Sequence, residues 1–204
     1  VTLAKVAGRL VLREADADVL PFHFQGFAET VAQYVRELRK LNADIKSKAE
    51  TQAQLLQSRA FALADDPRDP RAAPTPQGNV PVIDFKKLEE ASAKLSKSAK
   101  TYDEALSAAG TVDQAKASKI NALLQDVDQL LLDRDGLPGR PWFKNLAYAP
   151  GVLTGYGAKT LPGVREALEG HRWAEADAFV VKTAAVLDAY ASRIDAATLV
   201  LEGK

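Results

Sequence analysis

Apolar side chains recur along most of this chain at helical spacing. Leu3, Val6, Ala7, Leu10 and Val11 predict a first helix over Thr2 to about Ala17. Val19-Leu-Pro-Phe22 ends it, since a proline disfavours helix in the residue before it. From about Gln25, Phe27, Val31, Tyr34, Leu38, Leu41 and Ile45 step by four and three, a heptad-like seam continued more loosely by Ala49, Ala53, Leu56, Ala60 and Leu63. No glycine or proline interrupts Phe27 to Asp66. The pattern therefore allows one helix of up to about 40 residues, roughly 60 Å long.

Residues 65–83 differ in kind. Asp65 to Pro81 holds five of the ten prolines, Pro67, Pro70, Pro74, Pro76 and Pro81, and predicts a flexible or extended surface loop. Asp84 then caps a second strong amphipathic helix with the seam Phe85, Leu88, Ser92, Leu95, Ala99, Tyr102 and Leu106. Gly110 stops it. Thr111 and Gln114 have capping-box spacing and open a helix through Ile120, Leu123, Val127 and Leu130. Over residues 133–163 the periodicity disappears among prolines, glycines and the aromatics Trp142, Phe143, Tyr148 and Tyr156. A long irregular loop in a compact domain is usually functional. A short helix, Val164 to Leu168, and a last long one, Trp173 to Ala197, complete an all-α helical bundle of five to six helices. It contains a long helix pair, a proline-rich loop and a long irregular loop rich in aromatics, glycine and proline. No internal repeat and no convincing strand is read, and residues 1–204 are taken as a single domain.

Composition mostly excludes. With 27 basic and 27 acidic groups among 204 residues, formal charge is zero and gives no electrostatic reason to expect nucleic acid or an anionic membrane. The 36 alanines and 25 leucines suit closely packed helices. Zero cysteines remove disulfides and thiolate chemistry, and His23 and His171 are too few and too isolated for a zinc centre. There is no Gly-x-Ser-x-Gly nucleophile elbow and no phosphate-binding glycine loop. The Lys94, Lys97, Lys100 row lies off the apolar seam and reads as a solvated stripe. The absence of methionine is taken as the mark of a piece excised from something longer.

The irregular loop is too particular for a spacer. It reads either as a plug, with Trp142, Phe143 and Tyr148 packed over the bundle end, or as a contact arm whose tip, Gly151 to Thr160, meets a ligand or another domain. Tyr156 and Lys159 are the tip's long side chains with polar ends.

Leu137-Pro-Gly-Arg-Pro-Trp-Phe-Lys-Asn-Leu-Ala-Tyr-Ala-Pro150, with Tyr156 and Leu161-Pro-Gly-Val-Arg-Glu-Ala-Leu168, resembles the transferrin receptor-like dimerisation domain. That is the helical C-terminal domain of two-zinc peptidases of the glutamate carboxypeptidase II type. Val19-Leu-Pro-Phe22, Phe27-Ala28, Tyr34 and Ile83-Asp-Phe85 fit the same pattern, while Asn42 to Pro81 departs from it.

The resemblance implies a non-catalytic bundle that forms a two-fold homodimer, with its central loop reaching over the active site of a peptidase domain of the same parent chain. It implies no cofactor here, since the two zinc ions and the general-base glutamate would lie in that other domain. Tyr156 matches a tyrosine that, with a neighbouring lysine, recognises the carboxylates of a C-terminal glutamate in a peptide substrate. Gly155 stands in the lysine position, which leaves Lys159 as the substitute cation. Pro138, Arg140, Pro141, Trp142, Tyr148, Pro150, Pro162 and Gly163 are its expected scaffold. Two rival readings stand beside it: a receptor-type module of a parent without peptidase activity, which binds a protein partner, and a freestanding helical adaptor. None of the three brings the domain against nucleic acid or membrane.

Overall fold

The computed structural model describes residues 1–66, 68–69 and 71–204 and is all-α, apart from one two-stranded hairpin. The helices are α1 (Thr2–Ala15), α2 (Gln25–Gln57), α3 (Ala60–Ala64), α4 (Lys86–Ala108), α5 (Gln114–Leu124), α6 (Pro162–Glu169) and α7 (Trp173–Glu202). A 3₁₀ turn covers Val127–Leu131, and the hairpin pairs β1 (Tyr148–Pro150) with β2 (Ala158–Thr160). No described helix is long and apolar enough to cross a membrane.

α7 is the centre, with α4, α5, α6 and the 3₁₀ turn packed around it. Its buried positions, from Ala176 and Phe179 through Leu187, Tyr190 and Ile194 to Leu201, lie on several sides, as burial by more than one neighbour demands. The α4 seam is buried as its spacing predicts: Leu88, Ser92, Leu95, Ala99 and Tyr102 face inward. Near the chain's arrival in the bundle, Phe24 packs edge-on against Tyr102 and Tyr190, with ring centroids 5.2 and 5.9 Å apart.

Four expectations are corrected. The unbroken helix from Phe27 to Asp66 does not form. α2 ends at Gln57, and Arg59 takes a left-handed backbone (φ 57°) before α3. The reason is lost company: Ala49 is the last buried residue of α2, and beyond it Leu55 and Leu63 are exposed, so no core neighbour enforces continuity. The predicted capping box at Thr111 is replaced by Asp113, whose carboxylate accepts from the Lys116 N–H at 2.9 Å. Asp113 has the extended backbone a cap needs, directly before the first helical residue. The helix expected to run through Leu130 stops at Leu124, where Arg193 of α7 donates to the Leu123 carbonyl and to Asp126, both at 3.0 Å. Finally, the irregular loop contains the β1–β2 hairpin, where no strand was read.

The proline-rich segment is tethered rather than free from residue 75 onward. Gln52 donates to the Thr75 carbonyl (3.2 Å), while the buried Asn42 donates to the Pro81 carbonyl (3.2 Å) and accepts from the Ile83 N–H (3.1 Å). Val80 and Ile83 are buried. Pro67 and Pro70 lie outside the described residues.

α1 has the expected amphipathic pattern but no buried residue. Leu3, Val6, Leu10 and Val11 are all exposed. The bundle takes hold only afterwards, where Asn121 accepts from the Leu20 N–H (2.8 Å) and donates to the Asp18 carbonyl (2.9 Å).

Candidate functional site

Residues 133–163 fold back on themselves over one end of the bundle. Their apolar anchors, Leu137, Leu146, Ala147, Ala149 and Leu161, are buried in the common core. Between anchors the backbone closes its own bonds, Asp133 N–H to the Lys144 carbonyl at 2.8 Å and Leu146 N–H to the Leu131 carbonyl at 2.9 Å. Pro162 begins α6 at its first turn, where a missing N–H costs nothing. Gly163 follows because there is no room for more: a β-carbon there would lie 2.1 Å from the Phe179 ring.

The start of the loop is held electrostatically. Lys182 of α7 bridges Asp133 (2.9 Å) and Asp135 (3.0 Å). Partial burial alone would push the Asp133 carboxyl up. Hydrogen bonds from Lys182 and from the Asp135 and Gly136 N–H groups, with the charge of Lys182, outweigh it and hold the group below its usual value. The same hydrogen bonds, to Asp133 first and Asp135 second, raise Lys182 above its ordinary value.

The exit is held too. Arg165 bonds the Thr160 carbonyl (3.0 Å) and hydroxyl (2.7 Å) and reaches Glu37 of α2 at 2.9 Å. Arg140 is buried, stacks on Phe143 with its guanidinium 5.5 Å from the ring centroid, donates to the Pro150 carbonyl and pairs with Glu166 at 2.6 Å.

From this base the hairpin projects. Tyr148 faces Thr160, Ala149 faces Lys159 and Pro150 faces Ala158. The Gly151 N–H bonds the Gly157 carbonyl at 3.1 Å, and the Thr154 hydroxyl bonds the same carbonyl at 2.7 Å. Gly155 has φ +55°, a conformation that penalises any β-carbon, so the turn favours glycine in the position where the resemblance expects lysine. Tyr156 and Leu153 are fully exposed at the tip. Beneath them a cleft of about 310 Å³ is lined by Val152, Leu153, Lys159, Glu166, Glu169 and Arg172.

Of the sequence-derived candidates, Tyr156 stands free in solvent, whereas Lys159 donates to both carboxylate oxygens of Glu169 at 2.8 and 2.9 Å. Among the described residues the two do not converge on a common partner. The scaffold residues divide. Arg140, Pro162 and Gly163 are buried, but Trp142 is 70% exposed, Tyr148 is 57% exposed, and Pro138, Pro141 and Pro150 are on the surface. A plug of Trp142 and Tyr148 over the bundle end is therefore not what forms; only Phe143 is half-buried. Sequence reasoning missed Glu37, Lys182, Glu166 and Glu169, the partners of the loop's charges. The i, i+3 spacing of Glu166 and Glu169 put both on one face of α6, but nothing in the sequence said that this face meets the loop.

Among the described residues no three His, Cys, Asp or Glu side chains gather as a metal site. His23 lies 3.5 Å from Asp103, and His171 stacks on Trp173.

Comparison with known proteins agrees with the loop and the bundle. The transferrin receptor-like dimerisation domain profile matches residues 83–195. A protein of Arabidopsis thaliana described as probable glutamate carboxypeptidase LAMP1 is 27% identical over 169 residues, 83% of this chain and 19% of its own length. A probable glutamate carboxypeptidase of Arthroderma benhamiae is 32% identical over 91 residues, 44% of this chain and 12% of its own. The chain thus spans a fifth or less of either relative. More than half of it, from the buried Ile83 just before α4 to Asp195 in the last third of α7, carries the family pattern, and the chain belongs to the transferrin receptor-like dimerisation domain family.

Proposed function

We propose that this chain is a non-catalytic homodimerisation domain of a two-zinc, glutamate carboxypeptidase-like exopeptidase, and that its hairpin contributes to the substrate pocket of that parent's peptidase domain. One observation carries the dimer. An outward stripe of α7, spaced by three and four, is Ala174, Ala178, Val181, Ala185, Ala189 and Ser192, small or apolar side chains that are all exposed, with Asp177 and Asp188 at its border and Leu199 further along the helix. Val181 and Leu199 are each 48% exposed. Such a face suits close approach of a second helix, while the outward face of α4 is instead lysine- and glutamate-rich. We take the second helix to be α7 of another copy, a reading supported by the family's description as a dimerisation domain.

Sedimentation of the chain with and without Ala185→Glu tests this. Both residues favour helix, so the fold is retained. A dimer that becomes a monomer supports the reading. A wild-type chain that stays monomeric at every concentration, or a dimer indifferent to the glutamate, removes it.

The pocket role rests on the full exposure of Tyr156 at the end of a braced hairpin. Because Glu169 already answers the charge of Lys159, the reading gives Tyr156 the leading part, as a phenolic donor or a packing surface for peptide. With Tyr156→Phe in the full-length parent, kinetics unchanged on every peptide tried would take Tyr156 out of recognition.

A further inference from the structure

The hairpin is short, and three residue pairs alone would leave its tip free to swing. What fixes its direction is a buried ion pair. The Arg140 side chain is 7% exposed and that of Glu166 is 13% exposed. One guanidinium nitrogen serves Glu166 Oε2 at 2.6 Å, and the other serves the carbonyl of Pro150, the last residue of β1. The second oxygen of Glu166, Oε1, accepts the Val152 N–H at 3.0 Å, two residues further along. The pair therefore grips the chain on both sides of Gly151, the point where the hairpin leaves its strand. It joins three segments of the chain: the Leu137–Arg140 turn, the start of the tip and the middle of α6.

Burial makes the grip selective. A charge with low exposure needs its partner, and the Nε of Arg140 is buried with no acceptor, so the guanidinium depends on Glu166 and the Pro150 carbonyl. The planar guanidinium gives each acceptor its own nitrogen in a fixed fork, whereas an ammonium would have to bring both acceptors to one nitrogen. Lys159–Glu169 and Arg165–Glu37 flank this grip but are more exposed, and neither pair hydrogen-bonds to the backbone of the tip between Gly151 and Gly157.

We propose that Arg140 and Glu166 are positioning residues for Tyr156: their buried pair sets the angle at which the hairpin leaves the bundle, and so where the phenol is presented. The link to substrate rests on the pocket reading above; the mechanical part does not.

Amide hydrogen exchange of the chain, wild type against Glu166→Gln, separates the two. The variant keeps volume and an oxygen for Val152 but presents Arg140 with an uncharged partner. Exchange of the Gly151, Val152 and Gly157 amides, the hydrogen-bonded N–H groups of the tip, is expected to rise about 10- to 100-fold, the range for loss of a charge-assisted hydrogen bond, while amides of α4 and α7 stay unchanged. Arg140→Lys, which keeps the charge and gives up the fork, should loosen the same residues by less. Unchanged exchange at these three amides in both variants overturns the proposal, as does a uniform rise across the bundle, which would make the pair a general brace. In the full-length parent, Glu166→Gln should raise KM for peptide while kcat holds within about twofold. Loosening without a change in KM overturns the positioning role. If Tyr156→Phe is silent as well, the pocket reading has failed; if Tyr156→Phe alone is active, only the link from the grip to the phenol has.

Discussion

Gly163→Ala tests how tightly the loop exit is fitted to α7. The added carbon would sit 2.1 Å from Cδ1, 2.6 Å from Cγ and 2.7 Å from Cε1 of Phe179. Carbon atoms prefer about 3.5–4.0 Å, so the ring must retreat by more than about 1 Å. Phe179 is only 6% exposed and Cγ lies close to its backbone, so the ring cannot simply rotate clear. Overpacking of this kind costs about 1–3 kcal/mol, and a contact this short belongs at the upper end. Against it, alanine gains up to about 1 kcal/mol over glycine within a helix. The net loss is about 2 kcal/mol, equivalent to a fall in Tm of roughly 4–8 °C for a chain of this size. Thermal unfolding followed by far-ultraviolet circular dichroism measures it. Introducing Gly163→Ala into a Phe179→Leu background should cost at least about 1 kcal/mol less than in the wild type, because the clashing ring is gone. An unchanged or higher Tm for the single variant, or equal costs in both backgrounds, would refute the reasoning.

Three further outcomes follow from buried or unpartnered groups. The Tyr102 hydroxyl is buried without a hydrogen-bond partner, and burial first, then the nearby Asp103 charge, pushes its pKa up to about 12. Tyr102→Phe should therefore be neutral or stabilising by up to about 1–3 kcal/mol at neutral pH in urea unfolding. Because the folded value is raised, the wild type should also lose stability as pH climbs from about 10 towards 12; the variant should lose less, retaining only the similar contribution of Tyr190. Asp133 is depressed in the fold, so its contribution is present above about pH 4 and lost as pH falls through its lower native value. Urea midpoints for Asp133→Asn should lie below wild type at pH 7 and converge with it in acid; a constant gap would show that charge is not the cause. Leu3→Ser with Leu10→Ser on α1 should leave the stability of this chain within about 0.5 kcal/mol, since both leucines are exposed; a clear fall in Tm would mean that α1 packs on the bundle.

Much of the bundle was legible because helical periodicity is a local property. Phe85 to Tyr102 reads as a seam from spacing alone, and those positions are buried. The same rule found α1, whose apolar face is nonetheless uncovered among the described residues, and overran at the far end of α2, where the seam continues past the last buried residue. Periodicity reports that a face is apolar, not that anything covers it.

The loop shows the same division. Its importance was plain in the sequence from Trp142, Tyr148 and the surrounding prolines and glycines, and Tyr156 stood out as a polar-ended side chain. Its charges were not readable, because Arg140 and Glu166 lie 26 residues apart and Lys182 and Asp133 lie 49 apart. Ion pairing at that separation depends on where α6 and α7 dock, not on any local rule.

By itself, then, the amino-acid order determined where most helices lie, the apolar faces that drive their packing, and the two segments, 65–83 and 133–163, that interrupt the helical pattern. Tertiary structure alone decided that Lys159 is engaged by Glu169 while Tyr156 stands free, that Arg140 holds both sides of Gly151, and that α7 turns a stripe of small residues outward. The physical reason is range. Helix formation is settled within a few residues, whereas burial, charge pairing and exposure are settled by which distant segments share the core.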